Sequence, residues 1–172
     1  MFDNCGRACT EAESFLKGAG IEYERINLSS DAEAENRLRS LGGSNTMPQL
    51  YTGTRRVDGF HHLRYKEALG ETYGLNALTG NVRDTFASHF YEDGSPKLVM
   101  YGASWCPHCK NAREFFQDNG LEFKEWDVEK ESEGKRYYQT LEGTGYPLIY
   151  VGFRRVSTNT VKSTLKDHPH LL

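Results

Sequence analysis

Apolar positions recur along this chain at two different spacings, and the second half shows them most cleanly. Lys97-Leu98-Val99-Met100-Tyr101 is a short apolar run closed by a glycine, which predicts a strand. From Pro107 onward Ala112, Phe115 and Phe116 return at helical spacing until Asn119-Gly120 stops them. Leu121 to Val128 alternates apolar and polar, with Leu121, Phe123, Trp126 and Val128 on the inward side, and predicts a second strand. A charged helix is predicted over Ser132 to Leu141. Pro147 then opens the strand Leu148-Ile149-Tyr150-Val151, which turns at Gly152 into a short strand around Arg155-Val156. A last helix runs from Asn159 to Leu165. The order β-α-β-α-β-β-α predicts a small α/β domain with helices on both faces of a mixed sheet.

The first half repeats this plan. With residue 9 laid on residue 109, Cys9 meets Cys109, Ala12 meets Ala112, Phe15 meets Phe115 and Gly20 meets Gly120. After a one-residue slip Pro48 meets Pro147, Tyr51 meets Tyr150, and Arg55-Arg56-Val57 meets Arg154-Arg155-Val156. Two copies make a tandem pair and not a solenoid. The predicted organisation is a first domain over residues 1–70, a joining segment over 71–96 with a helix from Val82 to Phe90, and a second domain over 97–172. The first copy lacks room for its first strand, because only Met1 to Asn4 precede Cys5. A central strand left out would orphan several backbone groups. The vacancy is therefore expected to be filled by the segment Glu71 to Pro96, by another chain, or by upstream residues of a longer natural protein.

The 172 residues are 37% hydrophobic and 12% aromatic, enough for packed cores and against disorder. A net charge of −3 with dispersed Lys and Arg argues against a nucleic-acid partner. No apolar run approaches the roughly 18 residues of a membrane span, and the start Met1-Phe2-Asp3-Asn4-Cys5 lacks the basic and apolar parts of a signal peptide. A cytoplasmic protein with no membrane partner is expected.

Four cysteines fall in two tight clusters, Cys5/Cys9 and Cys106/Cys109. Close pairs indicate redox chemistry or metal binding, where stapled secreted domains cross-link distant segments. Cys106 falls at the predicted N-cap of its helix and Pro107 at the first helical position. Unpaired N–H groups and the helix dipole there favour a thiolate, the nucleophilic form. His108 adds a titratable group in the same turn. Cys109 faces the same side one turn on, and from there it attacks a mixed disulfide formed at Cys106. Zinc is the competing use of a Cys-x-x-Cys pair. It needs two further ligands, and only His168 and His170 in the tail offer themselves, so no metal is expected.

Val99-Met100-Tyr101-Gly102-Ala103-Ser104-Trp105-Cys106-Pro107-His108-Cys109-Lys110, followed by Thr144-Gly145-Tyr146-Pro147-Leu148-Ile149-Tyr150-Val151-Gly152, resembles a glutaredoxin. The resemblance covers residues 97 to about 166 well and 5 to 69 more weakly. It implies two thioredoxin-like, three-layer α/β domains in tandem, with Cys106 as nucleophile and Cys109 as resolving cysteine. It also implies a cis Tyr146-Pro147 bond, and a substrate-binding surface of Trp105, Pro107, His108, Tyr146 and Pro147. The implied function is a thiol–disulfide oxidoreductase with no bound cofactor, acting on disulfide-containing proteins or on glutathione as co-substrate. Ser157-Thr158-Asn159-Thr160 stands where the family commonly carries a Gly-Gly-Asp-like stretch, a departure that predicts glutathione binding without its γ-glutamyl contacts. Trp105-Cys106 leans toward thioredoxins.

Cys5-Gly6-Arg7-Ala8-Cys9 has a four-residue step, and alignment puts Gly6 where Cys106 stands. Three readings follow for the first copy: a second redox site of Cys5, Cys9, Met47 and Pro48, a degenerate structural domain, or a ligand site for a metal or cluster. For the whole chain the alternatives to an oxidoreductase are a redox-sensing, thioredoxin-like binding module and an iron–sulfur or metal carrier.

Overall fold

The computed structural model describes residues 5–30, 33–53 and 55–166, and the chain divides into two units, Met1–Leu78 and Thr79–Leu172. Of the segment 71–96, the part up to Leu78 groups with unit 1 and the part from Thr79 groups with unit 2. No helix among the described residues is long and apolar enough to cross a membrane.

Unit 2 contains α4 (Gly80–Ala87), β3 (Leu98–Gly102), α5 (Pro107–Asp118), β4 (Lys124–Asp127), α6 (Ser132–Thr140), β5 (Leu148–Val151), β6 (Arg154–Val156) and α7 (Val161–Leu165). The strands form one sheet in the order β4-β3-β5-β6, parallel between β3 and β4 and antiparallel elsewhere. Side chains alternate across a strand. Leu98, Met100, Ile149 and Val151 therefore share one face, packed with Ala112 and Phe116 of α5 and with Val161 and Leu165 of α7. On the other face Tyr101 and Tyr150 meet His89, and Tyr150 also meets Phe86 of α4. Coverage of both faces explains why every residue of β3 and β5 is buried.

The stretch after α4 belongs to this packing. His89 is fully buried, its Nδ1–H donating to the Gly152 carbonyl at 2.8 Å and its Nε2 accepting from the Tyr101 hydroxyl at 2.7 Å. Burial pushes its pKa down to about 4, and the Lys97 charge works the same way. The helix predicted over 82–90 thus forms two residues earlier and completes the layer opposite α5 and α7.

Unit 1 contains α1 (Gly6–Gly18), α2 (Ala34–Ser40), β1 (Gln49–Thr52), β2 (Arg55–Asp58) and α3 (His62–Tyr73), followed by a single 3-10 turn over Leu75–Ala77. β1 and β2 pair antiparallel. Ala12 and Leu16 of α1 pack with Val57 of β2 and with Tyr65, Ala68 and Leu69 of α3. This core repeats the positions of Ala112, Phe116 and Val156 in unit 2, as the internal alignment requires. Arg55 ties β2 to α3 through Glu67, at 3.5 Å, and Glu71.

The plan of unit 2 is not fully repeated in unit 1: residues 21–27, equivalent to β4, form no strand. Of the three expected sources of the missing strand, the segment 71–96 does not supply it, since nothing within it pairs with β1. In unit 2 β4 is held by its ladder to β3. The internal alignment sets Met1 and Phe2 against the last residues of β3, and Met1 to Asn4 lie outside the described residues. Leu16, Ile21, Tyr23, Leu50, Tyr65 and Leu69 instead line a cavity of about 360 Å³. The Tyr65 hydroxyl is buried with no hydrogen-bond partner among the described residues.

Candidate active site

β3 carries the chain through Ala103, Ser104 and Trp105 to Cys106, which has extended backbone and caps α5, with Pro107 in its first turn. Being at the cap aims the sulfur into the free N–H groups of the first turn. Cys106 Sγ accepts from the Cys109 backbone N–H at 3.1 Å and from the Cys109 thiol at 2.6 Å, and the two sulfurs are not bonded. Two donors thus converge on the Cys106 sulfur. Burial pushes the Cys109 thiol above the ordinary thiol range, and its hydrogen bond to Cys106 adds to this, while Arg113 pulls the other way. Cys109 therefore keeps its proton at neutral pH.

The start of a helix suggests an exposed Cys106. The structure corrects this: Cys106 is 5% exposed and Cys109 is fully buried. Ala103 shares a cluster with the two cysteines and Tyr146 packs against it, which shields both sulfurs.

Of the five predicted substrate-binding residues, Tyr146 lies against the cysteine cluster and its bond to Pro147 is cis. Trp105 is 66% exposed, donates its indole N–H to the Glu129 carboxylate at 2.8 Å, and meets the Tyr146 ring edge-on at 6.3 Å. His108 and Pro147 line a cavity of about 600 Å³ together with Asn111, Tyr146, Arg155 and Thr158. Pro107 is exposed at the helix start and serves the cap rather than that cavity. At the far end Ser157 and Thr160 are bonded to each other, with the Ser157 N–H donating to Thr160 Oγ1 at 2.9 Å.

Beneath the cysteines lies a pair that the sequence reading missed. Arg113 Nε donates to both Glu125 carboxylate oxygens, at 3.0 and 2.8 Å, and its Nη2 donates to the Ala103 carbonyl at 3.1 Å. Gly102 leaves the space for this arrangement: a Cβ there would stand 2.9 Å from Cys109 Sγ and 3.6 Å from a Glu125 carboxylate oxygen. No spacing rule links Arg113 to Glu125, since α5 and β4 meet only after folding.

In unit 1 Cys5 takes the N-cap position of α1, although the alignment by number sets Gly6 against Cys106, but it lacks the extended backbone and the side-chain cap hydrogen bond that Cys106 has. Cys5 and Cys9 form a disulfide with Cα atoms 5.5 Å apart. Met47-Pro48 is cis, like its counterpart, and Pro48 is buried while Met47 is half-buried. Among the described residues no group of three or more His, Cys, Asp or Glu is placed to hold a metal ion, and His168 and His170 lie outside them.

The glutaredoxin family model matches residues 1–57 and 98–156. Glutaredoxin-3 of Mus musculus is 23% identical over 156 residues, covering 88% of this chain and 46% of that protein. The chain thus spans less than half the length of this curated relative. Among solved structures, a buckwheat glutaredoxin in complex with glutathione matches at a TM-score of 0.38 and 17% identity, over 53% of this chain and 90% of that one. A wheat glutaredoxin matches at 0.35 and 20%, over 48% and 82%. At scores this low the assignment rests on the matched stretches. They fall one in each structural unit and together take up more than half of the chain, so the protein belongs to the glutaredoxin family, as a tandem of two glutaredoxin-like domains.

Proposed function

We propose that unit 2 is a dithiol–disulfide oxidoreductase in which Cys106 is the nucleophile and Cys109 the resolving thiol. The observation that carries this reading is the Cys106 sulfur at the cap of α5, taking hydrogen bonds from both the backbone N–H and the thiol of Cys109. Cys106 attacks one sulfur of a substrate disulfide and displaces the other as a thiolate, which takes up a proton. Cys109 gives up its own proton and attacks Cys106 Sγ, closing the Cys106–Cys109 disulfide and releasing the second substrate thiol. Two glutathione thiols then return the pair to the dithiol and leave joined as glutathione disulfide.

Trp105, Tyr146 and the cis Tyr146-Pro147 corner supply the surface along which an extended substrate lies, as an added strand would. His108 and Arg155 are among the polar groups of the neighbouring cavity. The Ser157 N–H is already used by Thr160, which leaves one donor fewer for a γ-glutamyl carboxylate. That favours disulfide-containing proteins as substrates, with glutathione as the weakly held co-substrate.

Trapping tests this. In Cys109→Ser the first step is expected to stop at a stable mixed disulfide on Cys106, located by peptide mass after incubation with a glutathionylated protein. No adduct at Cys106 refutes the reading. Tight binding of reduced glutathione in a titration would instead refute the weak co-substrate role.

A further inference from the structure

The sheets of the two units differ at one edge. In unit 2 β5 is bonded along both edges, to β3 and to β6. Its counterpart β1 is bonded to β2 along one edge and has no strand on the other among the described residues. The unit 1 cavity of about 360 Å³ runs along β1, because Gln49, Leu50, Tyr51 and Thr52 all line it. Successive side chains alternate across a strand, so β1 borders this space by its edge and not by one face. Leu16 of α1, Leu38 of α2 and Leu69 of α3 supply apolar walls.

The groups around the cavity suit a polypeptide better than an apolar small molecule. A free strand edge presents a row of N–H and C=O groups, which an apolar molecule leaves without partners. Tyr65 lines the cavity, and its hydroxyl is buried with no hydrogen-bond partner among the described residues. Burial pushes its pKa up to about 12, so it remains a donor at neutral pH. A backbone carbonyl is an acceptor of the kind this hydroxyl lacks. The rim is apolar as well. Four large apolar side chains are exposed among the described residues, and three of them, Leu41, Tyr51 and Tyr73, line this cavity. Clustering of that kind marks an interaction surface. Beside β5 in unit 2 the same position is held by β3, Leu98-Val99-Met100-Tyr101-Gly102, an apolar strand buried at every residue.

We propose that the open edge of β1 and the cavity beside it form a docking groove for an extended apolar segment, about five residues long, of another protein. The segment adds as a strand antiparallel to β1, as β3 lies against β5. Its backbone bonds to the β1 edge, its side chains fill the cavity, and one of its carbonyls accepts from the Tyr65 hydroxyl. Leu41 and Tyr73 close over it at the rim.

The test uses the full chain and a fluorescein-labelled peptide with the sequence of Lys97 to Gly102. Saturable binding is expected by fluorescence anisotropy, with hydrogen exchange at residues 49–52 slowed about tenfold or more at saturation. Alternate N-methylation of the peptide, made in both registers, should weaken binding about tenfold in the register that blocks the N–H groups facing β1. Leu41→Lys and Tyr73→Lys change exposed positions, so each should weaken binding several-fold with the unfolding midpoint unchanged. Tyr65→Phe should also weaken binding, while the free protein unfolds no earlier than the parent because it loses an unpaired hydroxyl. The proposal is overturned by any of four results: no saturable binding, equal binding of both N-methylated peptides and the parent peptide, an affinity that all three variants leave unmoved, or residues 49–52 already protected without peptide. The last result would mean that the edge is covered by the chain itself or, if the protection depends on protein concentration, by a second copy.

Discussion

Arg113, held by Glu125, adds a positive charge near the buried sulfur of Cys109, and the sign of its effect is fixed by the geometry. Burial and the bond to Cys106 hold the Cys109 proton on, and the Arg113 guanidinium draws it off. Arg113→Met removes the one positive charge that eases deprotonation. The second step, release of substrate by Cys109, should slow several-fold at neutral pH, and its rate profile should move to higher pH. Single-turnover decay of the Cys106 mixed disulfide, followed from pH 6 to 9, measures this; an unchanged profile means Arg113 serves only the fold. Gly102→Ala tests the same spot by volume. A Cβ 2.9 Å from Cys109 Sγ has no flexible neighbour to push aside, so the change should destabilise unit 2 by about 1–3 kcal/mol in urea denaturation. Cys106, Cys109 and Tyr146 were all legible at this scale, because a Cys-Pro-x-Cys helix start and a Tyr-Pro strand start are local patterns. Arg113 and Glu125 were not, because their meeting is tertiary.

At the scale of elements, α4 and the residues after it show what a pattern leaves open. The apolar period of 82–90 indicates a helix with one buried face, yet periodicity does not say which sheet that face covers. In the fold it covers β3 and β5, and His89 bonds to both the Tyr101 hydroxyl and the turn at Gly152. This buried neutral histidine has a consequence for stability. Its folded pKa of about 4 lies below the ordinary value of 6.5, so the unfolded chain takes up the proton first as pH falls. The contribution is complete above about pH 6.5 and is lost progressively down to about pH 4, on the order of 3 kcal/mol in total. His89→Gln should flatten the pH dependence of unit 2 unfolding across that window, read by chemical denaturation at half-unit steps. A slope equal to that of the parent protein contradicts the assignment. Residues 21–27 give the opposite lesson. Their alternation reads as a strand, but alternation only prepares one face, and a strand exists when a neighbour supplies the hydrogen-bond ladder.

Across the whole molecule, the tandem organisation was readable because shared cysteine, glycine and proline positions keep one offset over most of the chain. What the repeat concealed is how far the two copies have diverged at the same structural place. Both put a cysteine at the cap of the first long helix of the domain and a cis-proline at the start of a strand. One copy spaces its cysteines three apart and holds them as thiols, and the other spaces them four apart and holds them bonded. On the function proposed above, turnover on mixed disulfides belongs to Cys106, whatever the state of Cys5 and Cys9. The most direct measurement is the steady-state rate on a glutathione mixed disulfide, with glutathione as reductant, for the full chain and for Cys106→Ser. Serine keeps the shape of the cap and removes the nucleophile, so the rate should fall by more than about 100-fold with the unfolding midpoint unchanged. A Cys106→Ser protein that retains the parent rate would contradict the account.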